Sequence, residues 1–124
     1  MSQLLAVGIG GCLGSIARYW LSGAVHRYFD GGFPYGTLAV NVVGCLLLGG
    51  VMGLVEYRQL FPPNVRIFLT VGILGGFTTF STFGYETFAL LRDQQYLLAI
   101  ANITANVVVG IVAVLVGWFV AKLI

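Results

Sequence analysis

The chain has 124 residues, of which 59% are hydrophobic and 8% are charged, and its formal net charge at pH 7 is +2. Soluble domains usually carry about 25% charged residues. This chain therefore has too little polar surface to cover a water-soluble particle, and we predict an integral membrane protein. The small net charge gives no reason to expect nucleic acid as a partner.

Four stretches are long and apolar enough to cross a membrane, which takes about 20 mostly apolar residues. No link between them is long enough to form a further domain, so 1–124 is expected to be a single all-α transmembrane domain. The N-terminus lacks the basic region of a signal peptide, so the first stretch is expected to be retained. The predicted spans are roughly 3–24, 36–56, 66–91 and 96–123.

The first two spans contain glycines four residues apart, a spacing that lets membrane helices approach closely. These pairs are Gly10 with Gly14 and Gly49 with Gly53. Cys12 and Cys45 lie in different apolar segments. We interpret both as small core residues rather than as a disulfide.

Polar side chains inside the first two spans need partners in a dry environment. Arg18, near the end of span one, either reaches the interface by snorkelling or lends positive potential to an aqueous vestibule. Asn41, in span two, either bonds a neighbouring helix or lines a polar pathway. His26, the one histidine of the chain, is expected to be solvated in the link between these spans.

The third span contains GGFTTFSTF, residues 75–83. Glycine and β-branched threonine are poor helix formers, so this stretch predicts a helix break near Gly75–Ser81. A break exposes carbonyl oxygens, which suit a hard cation, and amide donors, which with hydroxyls and ring edges suit a small anion. The alternative is a kinked, packed helix whose hydroxyls bond its own backbone.

Further polar residues lie in spans three and four. Glu86 is an embedded acid, which is a functional candidate by default, although pairing with Arg18 would make it structural. Asn102, Asn106 and Gly110 are four apart and share one helix face. That face is either a polar track or a dimer contact.

The basic residues of the links show no preference for one side of the membrane, and these residues set the orientation of membrane proteins. One side would hold Arg58, Arg66 and Lys122, and the other Arg27 and Arg92, with Arg18 if it reaches that interface. We therefore expect insertion in both orientations and an antiparallel dimer of opposite copies. A single orientation set by folding of the first hairpin is the alternative.

No nucleophile–base pair, phosphate loop, dinucleotide fingerprint or metal motif is present in the sequence. An enzyme is therefore not expected. Three segments together resemble the Fluc family of bacterial fluoride channels over essentially the whole length. They are GSIARY in span one, GTLAVNVVGCLLLG in span two, and GGFTTFSTF with Tyr85 and Glu86 after it.

The resemblance implies a dual-topology homodimer in a bacterial plasma membrane, with two parallel fluoride pathways and a structural sodium ion at its centre. Such a channel releases cytoplasmic fluoride passively. Backbone carbonyls of Gly75 and Thr78 from both subunits would hold the sodium. The implied pathway residues are Arg18, Asn41, Phe80, Ser81, Thr82, Phe83, Glu86, Asn102 and Asn106, while Gly110 offers no side-chain donor.

Two rival functions come from other classes. A small multidrug transporter is also a four-span dual-topology dimer, but it uses a glutamate in its first span, where this chain has no acid. A non-transporting membrane assembly protein would conduct no ion at all. Fluoride efflux from liposomes separates these three functions.

Overall fold

A computed structural model describes residues 2–124 as a bundle of helices, and within these residues it contains no strand. Four helices are long and apolar enough to cross a membrane, as predicted. The first two are α1 (Ser2–Tyr28) and α2 (Tyr35–Arg58). The third is divided into α3 (63–77) and α4 (Phe80–Arg92), and the fourth is α5 (Tyr96–Leu123).

The helices end where the sequence supplies turn chemistry. Pro34 precedes α2, and Pro63 opens α3, where its missing N–H costs nothing. Gln59 ends α2 in the left-handed conformation (φ 52°), and its N–H donates to the carbonyl of Val55. This is a common helix C-cap. The links are therefore short, and neighbouring spans are antiparallel.

Two helix pairs, α1 with α3 and α2 with α5, pack at very short distances because glycine lines their contacts. A β-carbon at Gly10 would lie 2.8 Å from the carbonyl oxygen of Phe68, and one at Gly53 would lie 3.0 Å from that of Trp118. Gly14 and Gly49 abut the carbonyls of Ile73 and Val114 even more closely. The prediction of close helix approach at these glycines is confirmed.

Both α3 and α5 contain a π-helical segment, which sequence reasoning did not predict. The first is Phe68–Leu74, directly before the break, and the second is Ala105–Val109. Such widened turns are frequent at functional sites. Here they rotate the following residues relative to an ideal α-helix.

The interior is small and partly polar, while the outer surface is apolar. The largest fully buried side chains are Val40, Asn102 and Thr37. Many leucine, isoleucine and valine side chains are exposed, as a lipid-facing surface requires. Both cysteines are free, but Cys12 is exposed on α1, so its interpretation as a core residue was wrong.

Candidate functional site: the break in the third span

The break consists of only two extended residues. Thr78 (φ −81°, ψ 158°) ends α3, and Thr79 (φ −148°, ψ 111°) precedes α4. Gly75 keeps right-handed helical angles (φ −63°, ψ −39°). The predicted break near Gly75–Ser81 was therefore too long. Helix–helix contact accounts for Gly76, because a β-carbon there would lie 2.7 Å from the carbonyl oxygen of Gly11.

Every backbone polar group of the break has a partner, as membrane burial requires. The Thr78 N–H donates to the Leu74 carbonyl at 3.1 Å. The Thr78 carbonyl accepts from Nη1 of Arg18 at 3.3 Å. The Thr79 N–H donates to Oδ1 of Asn41 at 2.8 Å, and the Thr79 carbonyl accepts from Nδ2 of Asn41 at 3.1 Å. Asn41 therefore replaces the helical partners that the break removes.

A ladder of side chains links Asn41 to the fourth span. Asn41 Nδ2 also donates to Oδ1 of Asn106 at 2.9 Å, and Asn106 Nδ2 donates to Oδ1 of Asn102 at 3.0 Å. Asn102 Nδ2 then donates to the hydroxyl of Thr87 at 3.0 Å, and that hydroxyl donates to the Phe83 carbonyl at 2.8 Å. Both amide hydrogens of Asn41 are thus used within the protein.

Sequence reasoning did not select Thr87, which joins this ladder to the second half of the broken helix. The available signal was its spacing, because Thr87 lies four residues after Phe83 and therefore on the same helix face. Threonine hydroxyls commonly bond the carbonyl of the preceding turn. Its contact with Asn102 required the tertiary structure.

Aromatic and hydroxyl side chains follow the break. The rings of Phe80 and Phe83 meet edge-on, with centroids 5.5 Å apart. Phe83 is buried, whereas Phe80 is 82% exposed. The side chains of Ser81 and Thr82 are exposed, and the Thr82 N–H donates to the Thr79 hydroxyl at 3.3 Å.

Glu86 lies further along α4 and is held by α2. The hydroxyl of Thr37, another residue that sequence reasoning did not select, donates to its Oε1. The second carboxylate oxygen is buried and has no partner within residues 2–124. Arg18 does not pair with Glu86, because its guanidinium donates to the Thr78 carbonyl instead.

A cavity of about 640 Å³ leads from the α1–α2 end of the bundle to the break. It is lined by Arg18 and Arg27 and reaches Thr79 and Thr82, and no carboxylate lines it. Arg18 therefore lies at the wall of this cavity beside the break, where its guanidinium donates to the Thr78 carbonyl. Such a cavity raises the local concentration of anions.

A second cavity, of about 300 Å³, opens on the exposed side of the break. Gly75, Thr78 and Phe80 line it together with Asn41 and Asn106. This open face places the Gly75 and Thr78 backbone, the exposed Phe80 ring and the ladder side by side.

The backbone at Gly75 and Thr78 suits an oxygen-ligated cation. The amide that would normally bond the Gly75 carbonyl is that of Thr79, which donates to Asn41 instead. The Thr78 carbonyl keeps a lone pair beside its bond to Arg18, because the Thr82 amide is held by the Thr79 hydroxyl. Residues 2–124 contain no cluster of metal-ligating side chains. A cation would therefore depend on carbonyls.

Comparison with known proteins gives a consistent assignment. The family model described as CrcB-like protein, Camphor Resistance (CrcB), matches residues 5–118. A relative from Citrifermentans bemidjiense, named fluoride-specific ion channel FluC, is 45% identical over 98% of both chains. The relative of that name from Geotalea uraniireducens is 47% identical over 98% of both. Fluoride-specific ion channel FluC 1 of Methanosarcina acetivorans is 50% identical over 94% of this chain and 88% of its own length.

These matches span nearly all of the chain and include the two halves of the broken third span. The cavity lined by Arg18 and Arg27, the break that Asn41 bonds and the asparagine ladder all lie within the matched residues. The chain is a multi-pass membrane protein that belongs to the CrcB-like family.

Proposed function

We propose that this protein is a passive fluoride channel. The observation that carries the proposal is the cavity lined by Arg18 and Arg27, which ends at a helix break inside the third membrane span. The full-length relatives described above are named fluoride-specific ion channels. An anion would enter beside the two guanidinium groups and reach the hydroxyls beside the break and the amides that open α4.

The break offers donors that suit a small, strongly hydrated anion. The amides of Phe80 and Ser81 open α4, where backbone N–H groups have no intrahelical partner. The hydroxyls of Ser81 and Thr82 and the positive ring edges of Phe80 and Phe83 provide further contacts. Fluoride would exchange its hydration water for these groups one after another. No single site would then bind it tightly enough to stop it from leaving.

The asparagine ladder serves the pathway as its wall. Asn41 donates to the Thr79 carbonyl and to Oδ1 of Asn106. Asn106 in turn donates to the backbone carbonyl and Oδ1 of Asn102. These side chains therefore hold the break in shape and present amide edges to the cavity on its exposed side. Glu86, held by Thr37, lies further along the same half-helix.

The charge arrangement disfavours a small multidrug transporter. Such a protein needs an accessible acid in its first span, and α1 carries none. Glu86 lies in α4 and is bonded by Thr37. No energy-coupling site is needed for a channel that lets a trapped anion leave down its gradient.

A second, antiparallel copy would complete the open face of the break. Phe80 is 82% exposed in the middle of a span, beside the exposed Ser81 and Thr82. A polar open face directed at lipid would be costly, whereas an identical face on a second copy satisfies it. The lack of basic-residue bias between the links permits both orientations. The dimer would then contain two pathways, one for each broken helix.

A structural sodium ion fits the centre of that dimer. Carbonyls of Gly75 and Thr78 from both copies would supply hard oxygen ligands to a small cation. Bound there, the ion would neutralise the carbonyl ends of the two α3 helices. The residues present fit this role through their backbone, not through their side chains.

Phe80→Ile is expected to lower fluoride efflux from liposomes at least about 10-fold while the protein still assembles. Isoleucine fills an apolar volume but offers no positive ring edge. The measurement is the initial efflux rate per protein, read with a fluoride electrode. Phe119→Ile, on the exposed surface of α5, is the matched control and should match the unsubstituted protein. Unchanged efflux through a correctly assembled Phe80→Ile would remove the ring from the pathway.

Replacing sodium by a large organic cation during purification is expected to lower both fluoride efflux and dimer stability. Readdition of sodium should restore both. Gly75→Val should be more damaging than Thr78→Ser, which leaves the carbonyl in place. Gly75 is helical, and within this chain a β-carbon there would meet only the Thr70 carbonyl oxygen, at 3.6 Å. The expected damage therefore comes from the bulk of valine in the cavity that Gly75 and Thr78 line, where the cation would bind. Unchanged efflux and stability after verified long equilibration would show that the break holds no essential cation.

A further inference from the structure

His26 occupies a position that the sequence did not indicate. It lies in the last turn of α1, not in the link that follows, so the expectation of a loop histidine was wrong. A β-carbon at Gly36 would lie 2.8 Å from Cδ2 of the imidazole. The absence of a side chain at Gly36 therefore lets the ring approach the start of α2, one residue before Thr37.

The imidazole lies in the wall between two cavities of opposite charge. One is the cavity of about 640 Å³ lined by Arg18 and Arg27, which reaches the break. The other, of about 520 Å³, is lined by Asp30, Glu86 and Asp93. His26 is the one residue that lines both.

The same wall contains the contact between Thr37 and Glu86. Thr37 lines the cationic cavity, and Glu86 lines the acidic one. An anion that leaves the cationic cavity in this direction would meet the Glu86 carboxylate. A positive charge on the adjacent imidazole would offset this repulsion, and a neutral imidazole would not.

The titratable and charged groups that line the two cavities beside His26 come from α1, the link after it and α4. On α1 these are Arg18, Tyr19 and Arg27, and the following link contributes Asp30. On α4 they are Glu86 and Asp93, while α2 presents the uncharged Gly36 and Thr37. Within residues 2–124 the imidazole makes no hydrogen bond or ion pair with another residue.

We propose that His26 sets the rate of anion passage through its own protonation. Histidine is the side chain whose charge ordinarily changes between about pH 5 and 8. The protonated form would raise the local anion concentration at the wall between the cavities. Passage is then faster at acidic than at neutral pH. This inference rests on the proposed fluoride channel and adds a control point to it.

The test is the initial rate of fluoride efflux from liposomes, with equal pH on both sides, from about pH 5 to 8. Protein-free liposomes at each pH measure the leak of uncharged hydrogen fluoride, which is subtracted. The unsubstituted protein should conduct about 3- to 10-fold faster at the acidic end. The efflux rate of His26→Gln should not change with pH and should stay near the rate of the unsubstituted protein at the neutral end. The efflux rate of His26→Lys should also not change with pH, but it should stay near the rate of the unsubstituted protein at the acidic end.

Arg27→Gln is the control for general loss of positive charge. It should lower the efflux rate at every pH, but the rate should still rise from neutral to acidic pH, because His26 remains. A flat profile of the unsubstituted protein would overturn the inference, and so would a rise toward acidic pH that survives in His26→Gln, since another group would then titrate. Absence of fluoride efflux from every protein at every pH would instead contradict the proposed channel itself.

Discussion

Asn41→Asp is expected to lower fluoride efflux by about 100-fold or more. Aspartate keeps the oxygen that accepts from the Thr79 amide, but it loses the donor to the Thr79 carbonyl and to Asn106. A buried carbonyl without a partner costs about 1–3 kcal/mol, and the break cannot recruit water from hydrocarbon. The new carboxylate also repels an anion beside the pathway.

Two measurements separate the pathway effect of Asn41 from its structural effect. Gel filtration and thermal melting in detergent report assembly, and efflux per assembled protein reports conduction. Asn41→Leu should chiefly damage assembly, because both polar groups of Thr79 lose their partner. Thr104→Ala, on the exposed surface of α5, is the control and should be neutral in both assays. Normal efflux through a well-assembled Asn41→Asp would refute this account of the break.

Gly14→Val and Gly49→Val are expected to prevent recovery of folded protein. A β-carbon at Gly14 would collide with the Ile73 carbonyl, and one at Gly49 with the Val114 carbonyl. Overpacking of cores usually costs about 1–3 kcal/mol. Here the obstacle is the backbone of another helix, so no side chain can move aside. The loss should exceed that range.

Gly8→Val is the matched control for these substitutions. It changes the same residue type on the same helix as Gly14, but a β-carbon at Gly8 meets no atom within 4 Å. Its yield, gel-filtration profile and melting temperature should stay close to those of the unsubstituted protein. Equal recovery of Gly14→Val and Gly8→Val would show that close approach of α1 to α3 is not needed for folding.

Much of the site could be recognised from the sequence because polar residues are rare in its apolar spans. Arg18, Asn41 and Glu86 stand out for that reason. Their hydrogen-bond partners do not stand out in the sequence, because each bond joins residues that are far apart in the chain. Arg18 contacts Thr78 across 60 positions, and Glu86 contacts Thr37 across 49. A pairing of Arg18 with Glu86 was chemically reasonable and proved wrong.

The partners Thr37 and Thr87 could not be recognised from the sequence because they are common residue types. Thr37 and Thr87 are moderately polar residues that occur in many membrane helices, so their residue type does not distinguish them from Thr104. Only packing buries Thr37 and Thr87 against a carboxylate and an amide. His26 was likewise assigned to a link because the apolar run of the first span ends before it, whereas α1 continues through the polar residues to Tyr28.

By itself, the sequence determined that this protein spans the membrane four times and that its third span is broken. Both follow from local properties: the length of apolar runs, and the poor helix formation of glycine and threonine in 75–83. The tertiary structure alone decided where the break lies and what satisfies it. Backbone groups freed in a membrane must be bonded by other segments, and the chain between Asn41 and Thr79 brings those groups together only when α2 packs against the broken helix.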